Sequence, residues 1–316
     1  MTTPADAPVL AEGIARYVEL FRRGAPAPDL ETMRLVGDLS ARRFAQGFAP
    51  TIERFDSYVA APGREIPIRI YDPGGDGARP GICYFHGGGF ALGSVESFDL
   101  ACAALAAAAG AVLVSVHYRR LPDADYPAAQ ADCDAAYAWL IRQARELGVD
   151  PERIGVAGDS AGALLTLACA ANTRAGGAPL PAFQLLFYGT FAMDPTRADY
   201  ALSRDPLLSE ERVRQYIALF RECGGLDTAP APINRTDLAG MPKTHMVLAE
   251  HDPLAGEGYV LADRLRDAGV ELTVQVAAGM IHGFLRAVGV SAAARRELAT
   301  AVASIPALCQ SPTPKE

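Results

Sequence analysis

The segment RIGVAGDSAGALLTLACAAN, residues 153–172, passes from an apolar strand-like run into a helix-forming run across Gly158-Asp159-Ser160-Ala161-Gly162. A turn this tight constrains the fold severely. The glycines on either side let strand and helix approach without Cβ clashes, and the central serine is held in a strained backbone conformation. Ser160 is then presented at the carboxyl end of a sheet, near the positive end of the following helix dipole. This is the G-x-S-x-G spacing in the strand–turn–helix context of a nucleophile elbow. The plainer reading is a serine in an ordinary β–α turn.

The rest of the chain supplies a sheet for that turn. From about residue 52, short β-like runs alternate with helical ones. The expected strands are TIERFDSYVA, EIPIRIY, GICYF, AVLVSVHY, RIGVAGD, FQLLFYG, KTHMVLAE and ELTVQVA, with helices over 98–109, 128–147, 160–174, 255–268 and 292–307. The first two strands alternate polar and apolar residues, as an antiparallel edge ribbon does; the central ones are almost continuously apolar, as parallel strands covered on both faces are. The pattern predicts an α/β sheet of about eight mostly parallel strands flanked by helices.

Two segments fall outside the alternation. In residues 1–50, Leu10, Ile14, Tyr17, Val18 and Phe21 recur at helical spacing, and a second helix is expected over 29–45. Residues 190–235 hold an apolar helix at 209–222 between Pro- and Gly-rich linkers. We read 1–50 as cap helices, 51–189 and 236–316 as the two parts of the core, and 190–235 as a cap insertion. The two cap segments are expected to pack together over one end of the sheet; the alternative is ordinary surface helices.

A serine hydroxyl is a poor nucleophile at neutral pH and needs a base, which in turn needs an acid to hold its tautomer. Of five histidines, His282 in Gly279-Met280-Ile281-His282-Gly283-Phe284 follows the last expected strand and is the preferred base. His251 is its rival, His117 and His245 fall in expected strands, and His86 reads as a loop anchor. Asp252, after KTHMVLAE and before a helix, completes the chain order Ser, Asp, His; Glu250 and Asp263 compete with it.

Acyl transfer through serine builds negative charge on the former carbonyl oxygen, and preorganised N–H donors must meet it. Ala161, directly after the nucleophile, supplies one amide. The stretch ICYFHGGGFALG, residues 82–93, offers bare backbone beside a core strand. Gly88 and Gly89 are the expected donors and Gly87 the turn, since a side chain there would crowd the acyl group. A phosphate cradle is the other use of such a loop, but neither G-x-G-x-x-G nor G-x-x-x-x-G-K-[ST] is present.

A net charge of −8 and the lack of any Lys/Arg block argue against a nucleic-acid partner. No run approaches the eighteen or so uncharged apolar residues of a membrane span, and the first residues lack the pattern of a secretory signal. The six cysteines show no C-x-x-C spacing, so the expectation is reduced thiols, no metal and no redox motif, in a cytoplasmic protein.

Taken in order, HGGGF, Tyr118-Arg119 with Tyr126-Pro127-Ala128-Ala129, GDSAG, AEHDPL and HGF resemble the hormone-sensitive-lipase-like branch of the α/β-hydrolases, over roughly residues 52–308. The resemblance implies a carboxylesterase with catalytic Ser160, Asp252 and His282. It also implies an oxyanion hole from Gly88, Gly89 and Ala161, no cofactor or metal, and a cap from the N-terminal helices and the 190–235 insertion. Three positions depart from the family pattern: Ala163, where a further glycine is usual, and the segments 119–123 and 231–235. They bear on helix packing and pocket shape. The expected substrates are small, fairly apolar short- to medium-chain esters, because the cap and linkers are rich in Leu, Phe, Ala and Pro. An amidase, a deacetylase or an acyltransferase could use the same machinery, and a non-catalytic small-molecule receptor on this fold is the remote alternative. A homodimer through a sheet edge such as ELTVQVA also follows from the resemblance.

Overall fold

The computed structural model describes residues 8–23, 29–198, 204–228 and 230–309. Parts of the expected cap (1–7, 24–28, 199–203 and 229) and the tail 310–316 lie outside them. All eight expected strands form: β1 (Glu53–Ala61), β2 (Arg64–Asp72), β3 (Arg79–Phe85), β4 (Val112–Val116), β5 (Val149–Asp159), β6 (Phe183–Phe187), β7 (Lys243–Ala249) and β8 (Leu272–Ala277). They make one sheet in the order β1-β2-β4-β3-β5-β6-β7-β8. β1 and β2 form the antiparallel ribbon, β2 runs antiparallel to β4, and the remaining pairs are parallel.

Helices α1 (Ile14–Arg22), α2 (Leu30–Phe44), α3 (Asp99–Ala109), α4 (Tyr126–Gln143) and α5 (Ala161–Ala175) precede the insertion. After it begins come α6 (Glu210–Glu222), the short α7 (Gly225–Thr228), α8 (Ala255–Asp267), α9 (Ala292–Val302) and the short α10 (Ile305–Leu308). Side-chain caps set several starts, with Asp29, Asp125, Ser209 and Ser291 each accepting from a backbone amide three residues on.

The single helix expected over 292–307 is instead α9 and α10. Pro306 sits in the first turn of α10, where its missing N–H does no harm, but it could not continue α9. His117, expected inside a strand, lies one residue past the end of β4. Of the six thiols, four are buried and Cys223 and Cys309 half-buried, none of them bridged.

Alternation along β3 shows how the sheet divides the core. Ile82 and Tyr84 join a cluster with Phe98, Leu105, Phe284 and Leu298, while Cys83 and Phe85 join one with Tyr137, Leu140 and Leu165 on the opposite face. The two outlying segments fall on different sides of this division. Helix α1 contributes Ile14, Tyr17, Val18 and Leu20 to the first cluster, and α6 contributes Val213, Ile217 and Phe220 to the second. They come together at the carboxyl end of the sheet, where the Arg22 guanidinium donates to the Pro206 carbonyl at 3.0 Å. Phe21, expected on the buried face of α1, is 38% exposed and turns toward the cavity between these segments.

Candidate active site

The turn after β5 has the strain its sequence implies. Ser160 sits at φ 54°, ψ −120°, a conformation that costs a non-glycine residue roughly 1–3 kcal/mol. Gly162 is where the close approach is tightest, since a Cβ there would come within 1.9 Å of the Phe85 carbonyl oxygen. The other non-glycine residues with positive φ among those described are Phe90, Tyr188 and Met193. Phe90 and Met193 line the same cavity as Ser160, and the Tyr188 ring meets the His282 ring edge-on at 5.1 Å. Backbone strain is thus gathered around the serine, as it is at functional sites generally.

Ser160, His282 and Asp252 come together from the ends of β5, β8 and β7. The serine hydroxyl donates to His282 Nε2 at 2.7 Å, and His282 Nδ1–H donates to Asp252 Oδ2 at 2.7 Å. Asp252 is itself held by the Leu254 amide, which donates to Oδ1 at 2.8 Å. Burial pushes the imidazole pKa down, but the charge and hydrogen bond of Asp252, with Asp205 and Asp159 behind it, outweigh burial and leave it raised. The other histidines are elsewhere: His251 faces the Val9 carbonyl at 3.1 Å, and His245 bonds Thr273 and Gln275 in the sheet. Glu250 is taken up by the Gly279 amide and Asp263 by Arg266.

His86 occupies the anchoring place. It is fully buried, stacked on Tyr118 at 4.4 Å and on Phe98 at 5.6 Å, and Nδ1–H donates to the Gly87 carbonyl at 2.9 Å. Burial lowers its pKa to about 3, so the ring is neutral. The glycines that follow have explanations beyond room for an acyl group. A Cβ on Gly89, at φ +60°, would lie 2.4 Å from the ring of Tyr216 on α6. One on Gly87 would lie 2.6 Å from Asp159 Oδ2, and one on Gly88 2.6 Å from the Leu92 backbone. Among the described residues the amides of Gly88, Gly89 and Ala161 donate to no protein acceptor, an uncommon state for amides in so enclosed a place.

Several residues that hold this arrangement escaped the sequence reading. Asp159, the variable position of the pentapeptide, is buried and accepts from the Gly87 amide at 2.8 Å and the Tyr84 hydroxyl at 2.7 Å. It thereby ties the glycine loop to the elbow, and burial raises its carboxyl to about 6. Asp205, from the insertion, accepts from the His282 amide at 2.6 Å and from the amides of Leu207 and Leu208. Glu257 on α8 accepts from the amides of Phe191 and Ala192, fixing the first turn of the insertion. Arg34 on α2 reaches across to the Ala91 and Leu121 carbonyls and to Asp123. Only Asp159 carried a local signal, being inside a recognised motif.

The departing segments lie behind the site rather than in it. Ala163 packs with Phe191 and Leu186 under β6. In 119–123, Arg119 pairs with the buried Asp132, and Arg120 donates to the Gly93 carbonyl at 2.8 Å, so this stretch braces the end of the glycine loop. In 231–235, Ile233 bonds the Phe191 carbonyl and Arg235 pairs with Asp237. None of the five residues 231–235 lines the cavity. That cavity, about 620 Å³, opens on Ser160 and His282 between α1, α2 and α6, with Met33, Val36, Leu207 and Ile217 among its apolar lining.

Comparisons with known proteins agree with this architecture. A family model described as the α/β hydrolase fold matches residues 82–286. The carboxylesterase NlhH of Mycobacterium tuberculosis is 38% identical over 231 residues, covering 70% of this chain and 72% of the relative. An ethyl acetate hydrolase of Pseudomonas putida is 30% identical over 292 residues, covering 86% and 91%. The crystal structure of EstE1, a carboxylesterase cloned from a metagenomic library, superposes with a TM-score of 0.83 at 32% identity, over 90% of this chain and 99% of that one. The chain belongs to the α/β-hydrolase family, in its hormone-sensitive-lipase-like carboxylesterase branch.

Proposed function

We propose that this carboxylic ester hydrolase works through Ser160 as nucleophile, His282 as base and Asp252 as orienting acid, on small, fairly apolar esters of short to medium acyl chain. The observation that carries the reading is the unbroken relay of two 2.7 Å hydrogen bonds, Asp252 to His282 to Ser160, facing an apolar cavity. Ser160 Oγ attacks the ester carbonyl as its proton passes to His282 Nε2, and the imidazolium so formed is stabilised by Asp252. The developing oxyanion is met by the amides of Gly88, Gly89 and Ala161. His282 then protonates the departing alcohol, leaving an acyl-Ser160, and water enters by the same route to release the acid. Asp159 and His86 act at one remove by holding the glycine loop.

The same proposal treats α1, α2 and the 190–235 insertion as a cap whose inner face shapes the acyl and alcohol pockets. A cytoplasmic location and a homodimer through the open edge of β8, where Val276 is exposed, belong to it as well. No helix among the described residues is long and apolar enough to cross a membrane. Light scattering tests the dimer, and a monomeric mass removes it. For the catalytic assignment, Ser160→Ala should abolish hydrolysis of a chromogenic short-chain ester while circular dichroism stays unchanged. Activity surviving in that variant would reassign the nucleophile.

A further inference from the structure

We propose that the cavity contains a carboxylate-recognition subsite centred on Arg286, so that the preferred esters carry a carboxylate on one arm. This rests on the esterase reading above and narrows its substrate class. Arg286 follows His282 by one turn and lines the cavity together with Ser160. Its guanidinium lies between the rings of Phe44 and Phe98, at 5.2 and 5.4 Å from their centroids. Its hydrogen bonds go only to neutral acceptors, the Ser40 hydroxyl at 3.0 Å and the Gly37 carbonyl at 3.4 Å. Nε is buried with no partner, and Nη1 donates to nothing among the described residues.

Several of this chain's other arginines are met by carboxylates, although Arg120 and Arg295, like Arg286, have only neutral acceptors among the described residues. Arg69 meets Asp56, Glu96 and Asp99, Arg79 meets Asp72, and Arg64 and Arg119 share Asp132. Holding a guanidinium away from bulk water without a counter-charge costs stability. Among the described residues no carboxylate forms an ion pair with Arg286, although its charge acts on Asp159. Two further arginines, Arg22 and Arg212, also line the cavity without an ion pair among the described residues. The one carboxylate in the lining, Asp159, already has Oδ1 engaged by Tyr84 and Gly87.

The geometry suits a ligand oxyanion better than a structural role. The Phe44 and Phe98 rings hold the guanidinium by cation–π contact. With Nε buried and Nη2 on Ser40 and Gly37, Nη1 is the N–H group left to meet a carboxylate oxygen. The apolar part of the cavity lining, Met33, Val36, Leu207 and Ile217 among it, suits an aliphatic spacer. Arg22 and Arg212 in the same lining would draw an anionic ester in, against the −8 net charge of the chain. Two arrangements share this chemistry: a half-ester of a dicarboxylic acid, with the carboxylate on the acyl arm, or an acylated hydroxy acid, with it on the alcohol arm.

The test is a pH-stat comparison of kcat/KM for matched esters at low salt. The acyl arm is probed by monoethyl succinate, glutarate and adipate against their diethyl counterparts, and the alcohol arm by O-acetyl hydroxy acids against their methyl esters. In the native enzyme at least one carboxylate ester should exceed its neutral counterpart by about tenfold, since a site built for a charged group strongly prefers it. The arm that shows the preference identifies the arrangement. Arg286→Met should collapse that ratio about tenfold or more and Arg286→Lys should restore part of it. Preference for the neutral member of every pair, or a ratio unmoved by Arg286→Met, overturns the subsite while leaving the esterase intact. Hydrolysis of no ester at all by the native protein would instead overturn the esterase reading and the subsite with it.

Discussion

The two walls of the cavity are built on different principles. On the sheet side, the elbow and the glycine loop are fixed by backbone: Ser160 is strained, Gly162 touches Phe85, and Asp159 bonds the Gly87 amide. On the cap side, α1, α2 and α6 present side chains, among them Phe21, Met33, Tyr216 and unpaired arginines. The sheet wall leaves little freedom and supplies the groups that the reaction itself requires. On the proposed reading, most residues of the cap wall can change without disturbing the relay, and they share the shaping of specificity with Arg286, which follows His282 in the core. Tyr216 and Asp205 cross between the two, one roofing Gly89 and the other holding the His282 amide.

Substitutions can break this contrast in graded steps. The largest effect is expected on the sheet wall itself, where Ser160→Ala or His282→Ala should each lower kcat for a neutral ester by about 10⁶, and the double variant by no more, because the pair acts as a unit. Additive losses in steady-state assays would separate the two residues. Gly89→Ala comes next, at about 10²- to 10³-fold in kcat, through loss of one oxyanion donor. Because the first atoms its Cβ meets are those of the Tyr216 ring, Tyr216→Ala in the same chain should recover part of the loss. No recovery would mean that the positive φ alone sets the requirement for glycine.

Asp159→Asn should lower kcat about tenfold by loosening the glycine loop, with KM little changed. An effect on KM alone would place Asp159 with the cap wall. Asp205→Asn should have the smallest effect, visible in the pH profile. The raised His282 must be neutral to accept the serine proton, so activity falls as pH drops through its pKa. Removing a neighbouring anion lowers that pKa and moves the acid limb of the pH–rate profile to lower pH. An acid limb that stays put would confine Asp205 to holding the His282 backbone.

The same division explains what could be read from the chain. Ser160, Gly162 and the eight strands are signalled by neighbours within a few residues, and the order Ser, Asp, His follows once the sheet is drawn. The cap wall is made by contacts between distant residues. Arg286 reaches Gly37 and Ser40, Asp205 reaches His282, and Arg34 reaches Ala91, none of which leaves a periodic or local trace. Phe21 illustrates the limit: its helical spacing with Tyr17 and Val18 is real, but that face of α1 splits between the core and the cavity. The break before Pro306 is legible locally, since proline cannot continue a helix, but the apolar run around it has helical spacing.

The central claim, that Ser160 is activated by His282 and Asp252, is tested most directly by fluorophosphonate labelling followed by peptide mass spectrometry. One phosphonyl adduct per chain is expected, on the peptide containing Ser160, formed more slowly as pH falls through the His282 pKa and lost in His282→Ala. An adduct on another residue, or labelling of Ser160 that is indifferent to His282, would contradict it.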